Sequence, residues 1–193
     1  MNDKAQINGP ARPAPSPGKG RAAGRIWVLV LALAILTGGL FWAHYANQPE
    51  FCLAVREADT GKVLTLYPAR PGQEFTLWFL HSYDRAFFAE HYRLEAPGRI
   101  VLTHMTFKSN LNGEGFEYSD FHLRADGVGE LRNINEPRGK VDFRLGSPDM
   151  ANHTLILNGE RFPLCAVAMP GALINLEAAQ APRWRLWWNI PGL

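Results

Sequence analysis

The sequence lacks the short motifs that mark the commonest metal, nucleotide and hydrolase sites. Its two cysteines form no Cys-x-x-Cys pair, and its histidines show neither His-x-His nor His-x-x-x-His spacing, the spacings that metal sites favour. A Gly-x-Ser-x-Gly turn and a Gly-Lys-Ser/Thr phosphate loop are also missing. We therefore expect no metal, no cofactor and no catalytic residues.

Clustered positive charge is missing from most of the chain. The net charge is +2, but residues 1–25 carry five Lys and Arg against one Asp, so the remainder is slightly acidic. Nucleic-acid-binding domains need a concentrated basic face that neutralises phosphates. The charge pattern therefore argues against a nucleic-acid partner.

One long apolar run is present, and the segment before it is poor in large apolar side chains. Residues 1–25 are rich in Pro, Gly and Ala, so they are predicted to be disordered because they bury too little surface to offset chain entropy. Residues 26–46 contain no charged side chain, and a helix of that length spans roughly 30 Å, a bilayer core. Trp27 near one end and Trp42 and Tyr45 near the other occupy the positions of interfacial aromatics. This pattern predicts a transmembrane anchor.

A cleaved signal peptide is the alternative interpretation of the apolar run. Signal peptides have a shorter apolar region and a small-x-small cleavage site. Here Gly38-Gly39 lies inside the run, and His44 rather than a small residue stands two positions before Ala46. These features favour an uncleaved anchor.

The charges beside the apolar run predict its orientation. Arg21 and Arg25 precede it, and positive flanks stay in the cytoplasm. The chain is then a single-pass protein of a bacterial inner membrane. It carries a periplasmic domain over residues 50–175 and a Trp/Arg-rich tail over residues 176–193.

Beyond Pro49 the sequence changes to short β-type runs. They are separated by turn dipeptides, Asn112-Gly113, Asp126-Gly127 and Asn158-Gly159. About nine short strands at this spacing predict an all-β fold, a single antiparallel sandwich or barrel. The predicted strands lie near residues 51–57, 62–67, 74–82, 85–95, 99–107, 118–124, 141–145, 153–157 and 161–167.

The two cysteines, Cys52 and Cys165, both fall in the predicted periplasmic domain. In an oxidising compartment they can form a disulfide. The alternative is two small buried apolar residues. Strand adjacency does not follow from one sequence, so both interpretations stay open.

The stretch LHSYDR, residues 80–85, concentrates polar side chains at the predicted end of a strand. If Tyr83-Asp84 form a two-residue hairpin turn, the side chains of His81 and Ser82 point to opposite faces of the sheet, which excludes a local His-Ser pair. Glu90 shares the face of His81 but lies roughly 13 Å down the strand. The predicted register pairs Ser82 with Arg85, His81 with Ala86, Phe79 with Phe88 and Leu77 with Glu90.

Two further segments have two interpretations each. Residues 90–93, EHYR, place charged and aromatic side chains on both faces of one strand, which suits either a charge-protected edge strand or a wetted binding face. The tail PRWRLWW, residues 182–188, combines two Arg with Trp184, Trp187 and Trp188. It is either a membrane-interface or binding segment or a plain final strand that buries Trp under the sheet.

Residues 51–164 resemble a known family. The anchor, HSYDRAFFAEHY from residue 81, NIN at residues 133–135 and ANHTLILNGERFPL from residue 151 are similar to the domain of unknown function family numbered 1850. The positions that match the family pattern are His81, Ser82, Arg85, Glu90 and His153. Residues 108–118, KSNLNGEGFEY, depart from the Gly-rich segment that the family carries there.

The resemblance implies a partner rather than a reaction. Members of the family are small membrane-anchored proteins encoded beside TRAP transporters of the type with a TAXI solute receptor, and no activity is established for them. The expected function is a non-enzymatic accessory module that uses the five matched positions to bind the transporter or its receptor. The alternatives are a solute- or lipid-binding domain with a pocket between the sheets, and a hydrolase that needs His81, Glu90 and His153 to converge.

Overall fold

The structure, a computed structural model, describes residues 19–83, 85–108 and 120–188. The chain divides into two compact units, Met1–His44 and Tyr45–Leu193. In chain order the elements are α1 (Lys19–Ala46), β1 (Pro49–Glu57), β2 (Val63–Pro68), β3 (Glu74–Leu80), β4 (Phe87–Ala96), β5 (Arg99–Phe107), β6 (Phe121–Leu123), β7 (Gly129–Leu131), β8 (Glu136–Arg138), β9 (Val141–Arg144), β10 (Thr154–Leu157), β11 (Glu160–Pro163), a 3-10 helix (Leu164–Ala166), β12 (Leu173–Pro182) and α2 (Arg183–Trp188).

The first unit contains one apolar helix. Within α1, the segment Gly24–Ala46 has 23 residues and a mean hydropathy of 2.3, so by length and composition it could cross a membrane or act as a signal sequence. The Thr37 hydroxyl donates to the Leu33 carbonyl at 2.8 Å, which satisfies this polar group within the helix itself. The helix begins at Lys19, inside the stretch of residues 1–25 for which disorder stays a prediction; residues 1–18 lie outside the described residues.

The second unit is built from two antiparallel sheets, which confirms the predicted all-β, sandwich-like fold. The smaller sheet has the strand order β2-β1-β12-β9, and the larger has the order β11-β10-β3-β4-β5-β7-β6, with β8 also pairing with β5. Among the described residues there are twelve strands rather than nine. The additional strands are β7, β8 and β12.

The main hydrophobic core lies between the sheets, and strand alternation determines which side chains enter it. In β1, Leu53 and Val55 belong to this core, whereas Cys52 and Ala54 belong to a second cluster on the opposite face of the smaller sheet. Cys165 packs against the main core instead. The candidate disulfide is therefore not formed, and both cysteines are free thiols, because the smaller sheet separates their side chains.

The C-terminal region is a strand followed by a short helix. The expected domain boundary at residue 175 falls inside β12, which pairs with β1 along its whole length. The alternative that the tryptophans belong to a buried final strand is wrong, because β12 ends at Pro182 and α2 begins at Arg183. Leu186 of α2 is buried in the second cluster, where small alanine side chains of β12 leave room for it.

The predicted turn dipeptides behave as their residue types require. Asn158 and Gly159 both have positive φ, 54° and 81°, and they close the two-residue hairpin between β10 and β11. Gly127 has φ 79° in the turn between β6 and β7. The turn predicted at Asn112-Gly113 lies outside the described residues.

Candidate functional site

The hairpin between β3 and β4 carries three of the sequence-predicted site residues. Its predicted register is confirmed, because Phe79 pairs with Phe88 and Leu77 pairs with Glu90. The predicted two-residue turn is wrong, and Ser82 does not pair with Arg85, since both lie in a four-residue loop. That loop is closed by the His81 N–H, which donates to the Ala86 carbonyl at 2.8 Å.

The longer loop has a physical cause in its residue types. The favoured two-residue hairpin turns require positive φ at both central positions (type I′) or at the first (type II′), which Tyr-Asp does not favour. Among the described loop residues, positive φ occurs at Arg85, at 57°, and its N–H donates to the His81 carbonyl at 3.0 Å. Ser82, Tyr83 and Arg85 are exposed; Asp84 lies outside the described residues.

A second segment braces this loop from the side. Between β9 and β10, the Ser147 carbonyl accepts the N–H groups of Met150, Ala151 and Asn152 at 3.0–3.1 Å, which forms a compact turn. The Ala151 carbonyl accepts the Leu80 N–H at 2.7 Å, so this turn is joined to the end of β3. The two loops therefore form one braced surface at this corner of the larger sheet.

Side chains from both loops meet at the corner. The Arg85 Nη1 lies 3.8 Å from the Met150 Sδ. The pKa of Asp149 is lowered, first by a hydrogen bond from Ser147 and also by the charge of Arg85. Tyr83 and Met150 are 80% and 48% exposed, respectively. We call Tyr83, Arg85, Asp149 and Met150 the corner surface.

His153 lies beside the corner surface but faces inward. Its ring stacks on Phe79 and Phe143, with centroids 5.2 and 4.9 Å away, and its Nδ1 accepts the Gly146 N–H at 3.1 Å. This acceptor role requires the neutral ring, with the proton on Nε2. Burial lowers the pKa of His153 to about 4. The contacts make His153 part of the packing beneath the corner.

The His153 contacts belong to a longer row of stacked rings across the domain. The row continues from Phe79 to Phe88 at 5.2 Å, then to Phe107 at 5.7 Å and to Phe121 at 6.3 Å. Successive interplanar angles in this part of the row are 15–26°. Offset-stacked aromatic pairs stabilise by about 1 kcal/mol each beyond the area they bury. The row therefore fixes the strand ends that carry the hairpin loop.

Glu90 lies in a different polar cluster on the inner face of β4. Its carboxylate accepts the Tyr92 hydroxyl at 2.6 Å, and Arg138 approaches the same hydroxyl at 3.5 Å while pairing with Glu136 at 3.2 Å. The pKa of Glu90 is raised by burial, which the Tyr92 hydrogen bond and the Arg138 charge partly counteract. The cluster therefore supplies the buried Glu90 carboxylate with a hydrogen-bond donor, Tyr92, and a nearby positive charge, Arg138.

The residues required by the hydrolase alternative are not brought into contact. Glu90 and His153 belong to segments on opposite sides of β3, and the Phe79 ring stacks against His153 between them. His81 follows β3 and is four residues from Leu77, the partner of Glu90, which corresponds to roughly 13 Å. Ser82 points from the hairpin loop rather than from a strand. The structure thus offers no grouping of these side chains for general acid–base chemistry.

A polar cluster that the local sequence pattern does not reveal lies on the outer face of the larger sheet. His91 and His104 stack face to face with centroids 4.0 Å apart, and the two His91 nitrogens contact the Thr76 and Thr106 hydroxyls at 2.9 Å each. Burial, and then the neighbouring His104, lowers the pKa of His91 to about 4. These side chains become neighbours through cross-strand register. The sequence could reveal the cluster only if the pairing of β4 with β3 and β5 were already known.

This pairing also corrects the edge-strand interpretation of residues 90–93. β4 lies between β3 and β5 in the interior of the larger sheet. Its polar side chains are accommodated there by threonine partners on neighbouring strands and by the Glu90 cluster. The sequence alternation predicted two polar faces correctly but could not identify their partners.

A cleft of about 800 Å³ opens elsewhere on the β domain, at the start of β1. The ligand-binding alternative expects a pocket between the sheets, and this cleft is lined from both: Phe51 of β1 and Pro68 of β2 belong to the smaller sheet, and Asn158 closes the β10–β11 hairpin of the larger sheet. Two of its lining residues are joined by a hydrogen bond, which the Gln73 side-chain amide donates to the Asn158 side-chain oxygen at 2.9 Å. Its lining residues are Glu50, Phe51, Pro68, Ala69, Arg70, Pro71, Gln73 and Asn158.

No group of three or more His, Cys, Asp or Glu side chains within residues 19–83, 85–108 and 120–188 is arranged to hold a metal ion. The stacked His91 and His104 rings are engaged with threonines and with each other.

Comparison with known proteins confirms the family resemblance. Residues 75–164 match the model of the family described as Domain of unknown function (DUF1850). The match runs from β3 to the start of the 3-10 helix, so it includes the hairpin loop, the Glu90 cluster and His153. Neither the search of curated proteins nor the search of solved structures gave a match.

Proposed function

We propose that this chain, whose residues 75–164 match the DUF1850 family, is a non-enzymatic accessory module that α1 anchors in a membrane. Its β domain binds a protein of a membrane-transport system through the corner surface. The partner we favour is a membrane subunit or the solute receptor of a TAXI-type TRAP transporter, which follows from the family resemblance.

The corner surface is the observation that carries the proposal. Tyr, Arg and Met are enriched at protein interfaces, and Tyr and Arg dominate binding hot spots. Here such side chains project from the hairpin loop that follows β3 and from the turn between β9 and β10. The turn is hydrogen-bonded to the end of β3, and Arg85 of the loop contacts Met150 of the turn. A braced loop loses little conformational entropy when it binds, which favours affinity.

The inward orientation of the polar residues supports binding over catalysis. His153 is stacked on two phenylalanines, and Glu90 is occupied by the Tyr92 hydroxyl. Both contribute to the stability of the hairpin rather than to an open reactive cleft. Membrane attachment would confine the corner to the surface where a transporter lies and raise its effective concentration there.

Site-specific photocrosslinking in intact membranes tests the proposal. A photoreactive phenylalanine analogue replaces Tyr83 in the full chain, and a matched chain carries it at the exposed Thr60, in the turn between β1 and β2. We expect mass spectrometry to identify a TRAP membrane subunit or solute receptor at position 83 and not at position 60. Loss of the adduct in Arg85→Glu would support the role of the corner surface.

Two outcomes of this experiment would contradict the proposal. One is the absence of any transporter component among the products at position 83. The other is the same product at positions 60 and 83, which would indicate proximity without a specific surface. Arg85→Gly serves as a folding control, because glycine tolerates the positive φ at this position.

The cleft beside β1 favours a second candidate function, a solute- or lipid-binding domain. Its volume of about 800 Å³ is within the range of small-molecule sites. Arg70 and Glu50 supply charge, and Phe51 and the prolines supply apolar surface. Native mass spectrometry of the chain purified in mild detergent should then show a retained small molecule that is lost in Arg70→Glu. Retention of the same molecule by that variant would exclude this cleft as its site.

A further inference from the structure

The helix α2 exposes an unusual concentration of tryptophan. Trp184, Trp187 and Trp188 are 43%, 38% and 85% exposed, and Arg185 between them is also exposed. Leu186 is the one residue of α2 that is buried. Three exposed indoles within five residues form an apolar patch of the kind that marks an interaction surface. We call these three side chains the tryptophan face.

The position of α2 is fixed by contacts on its other side. Leu186 packs in the second hydrophobic cluster with Leu66 and Ala181. The Arg183 backbone N–H donates to the Gln48 carbonyl at 3.0 Å, and its guanidinium pairs with Glu50 at 2.9 Å. Both Gln48 and Glu50 lie within the first few residues after α1. The tryptophan face is therefore held close to Gln48 and Glu50, near the start of the second unit.

Two residues of α2 also contact Tyr45, near the end of the apolar segment. The Arg183 guanidinium lies 4.0 Å from the centre of the Tyr45 ring, and the Trp187 ring centroid lies 6.2 Å from that of Tyr45. Tyr45 is the penultimate residue of the apolar segment Gly24–Ala46. When that segment crosses a bilayer, Tyr45 lies at the membrane–water boundary, and Trp187 must lie within one side-chain length of the same depth.

We propose that α2 is an interfacial helix whose tryptophan face inserts into the headgroup layer of the membrane that α1 crosses. The inference rests on the anchor role of α1 in the proposed function. Indole rings prefer this layer because it solvates both their apolar body and their N–H group. Arg185 would meet lipid phosphates there. The occupant of the tryptophan face is thus lipid, not a partner protein.

Such an arrangement has a mechanical consequence for the β domain. A single helix leaves a tethered domain free to swivel, whereas a second attachment at α2 restricts its orientation to the membrane. The restriction would place the corner surface at a defined height, which matters for a partner that is itself embedded in the same membrane.

The test uses three full-length chains that each retain one tryptophan, with phenylalanine at the other five positions. One chain retains Trp188, one retains Trp42 within α1, and one retains Trp78 on the outer face of the larger sheet. Each chain is reconstituted into vesicles of phosphatidylcholine and phosphatidylglycerol brominated near the ester groups. We expect the Trp188 emission to be quenched by the bromolipid at least about twofold more than the Trp78 emission.

The Trp42 chain separates failure of this inference from failure of the anchor. Quenching of Trp42 without quenching of Trp188 would overturn the interfacial role of α2 and leave the anchor standing. Lack of quenching for both would overturn both proposals. The unmodified chain provides a check that does not depend on the folding of the variants. A photoreactive phosphatidylcholine should label the peptide that contains residues 184–188, and labelling of residues 82–85 in its place would contradict the inference.

Discussion

At the residue scale, burial of histidine couples the stability of the β domain to pH. The pKa of His153 is lowered to about 4 by burial, whereas an unfolded histidine titrates near about 6.5. Between these values the unfolded state binds a proton that the folded state excludes, so stability falls as pH falls. Above pH 6.5 both states are neutral at this position, and the penalty disappears. His91 behaves in the same way, with a pKa of about 4.

The variant His153→Phe should reduce this acid sensitivity. Lowering the pH from 7 to 5 should cost the native chain about 2 kcal/mol through His153, from about 1.4 kcal/mol per pH unit below 6.5. Phenylalanine keeps a ring between Phe79 and Phe143 but does not titrate, so that cost should vanish. Urea unfolding of the detergent-solubilised chain at both pH values measures the difference. The exposed His122 gives the control, His122→Gln, and an unchanged pH slope in His153→Phe would show that another group is responsible.

The two free cysteines provide a second residue-scale prediction. Cys52 is fully buried, and desolvation raises its pKa to about 11, so its reactive thiolate is scarce. Cys165 is half-buried, and its thiol donates to the Gly146 carbonyl at 3.3 Å. A thiol reagent should therefore label Cys165 first in the folded chain, and both cysteines after denaturation.

Reduction should leave the melting temperature of the chain unchanged, because no disulfide is present to be broken. Cys165→Ser is the matched control, and it should lose only the faster labelling phase. A chain that shows no reactive thiol after denaturation without reductant would contradict the structure and restore the disulfide.

At the element scale, the sequence motif NIN at residues 133–135 has a conformational explanation. Asn133 and Asn135 both adopt positive φ, 54° and 52°. Between them, the Ile134 N–H donates to the Thr103 carbonyl at 3.1 Å, and its side chain packs against the main core. Asparagine tolerates left-handed backbone better than other non-glycine residues. The motif thus directs the chain from β7 to β8 around one apolar contact.

Substitution at Asn135 should reveal this conformational requirement. Asn135→Val should reduce the free energy of unfolding by about 1–2 kcal/mol, because a β-branched side chain disfavours positive φ. The Asn135 side chain is exposed, so little packing is lost. Asn135→Gly is the matched control and should stay within about 0.5 kcal/mol of the native chain. Equal destabilisation by Val and Gly would refute the conformational explanation; chemical denaturation measures both.

The elements themselves were partly predictable from local pattern. Strands β1 to β5 follow apolar alternation and were predicted within a few residues, and the β3–β4 register followed from alternation and loop position. By contrast, β12 reads LINLEAAQAP, and its alanines, Glu177 and Gln180 have low intrinsic strand preference. It becomes a strand because β1 and β9 pair with it on both sides, which is tertiary information.

At the scale of the whole molecule, the candidate site shows the limit of sequence reasoning most clearly. The hairpin could be located from its polar residues, but Asp149 and Met150 join Arg85 only through the turn between β9 and β10. The inward position of His153 likewise depends on Phe143, a residue of the other sheet. Long-range pairings of this kind leave no local periodicity, so the sequence could not identify them.

The orientation of the whole chain in a membrane gives the last prediction. Basic residues near the start of the apolar helix, including Arg21 and Arg25, exceed those that closely follow it, where Arg56 is the first. Because the more positive flank stays in the cytoplasm, alkaline phosphatase fused after Leu193 should be active in a bacterial host. In the double variant Arg21→Glu, Arg25→Glu the bias is lost, and activity should fall by about half or more. A cytoplasm-active reporter at the same position should change in the opposite direction.

Equal phosphatase activity in the native chain and the variant would show that these arginines do not orient the helix. An inactive native fusion would place the β domain and its corner surface on the cytoplasmic side.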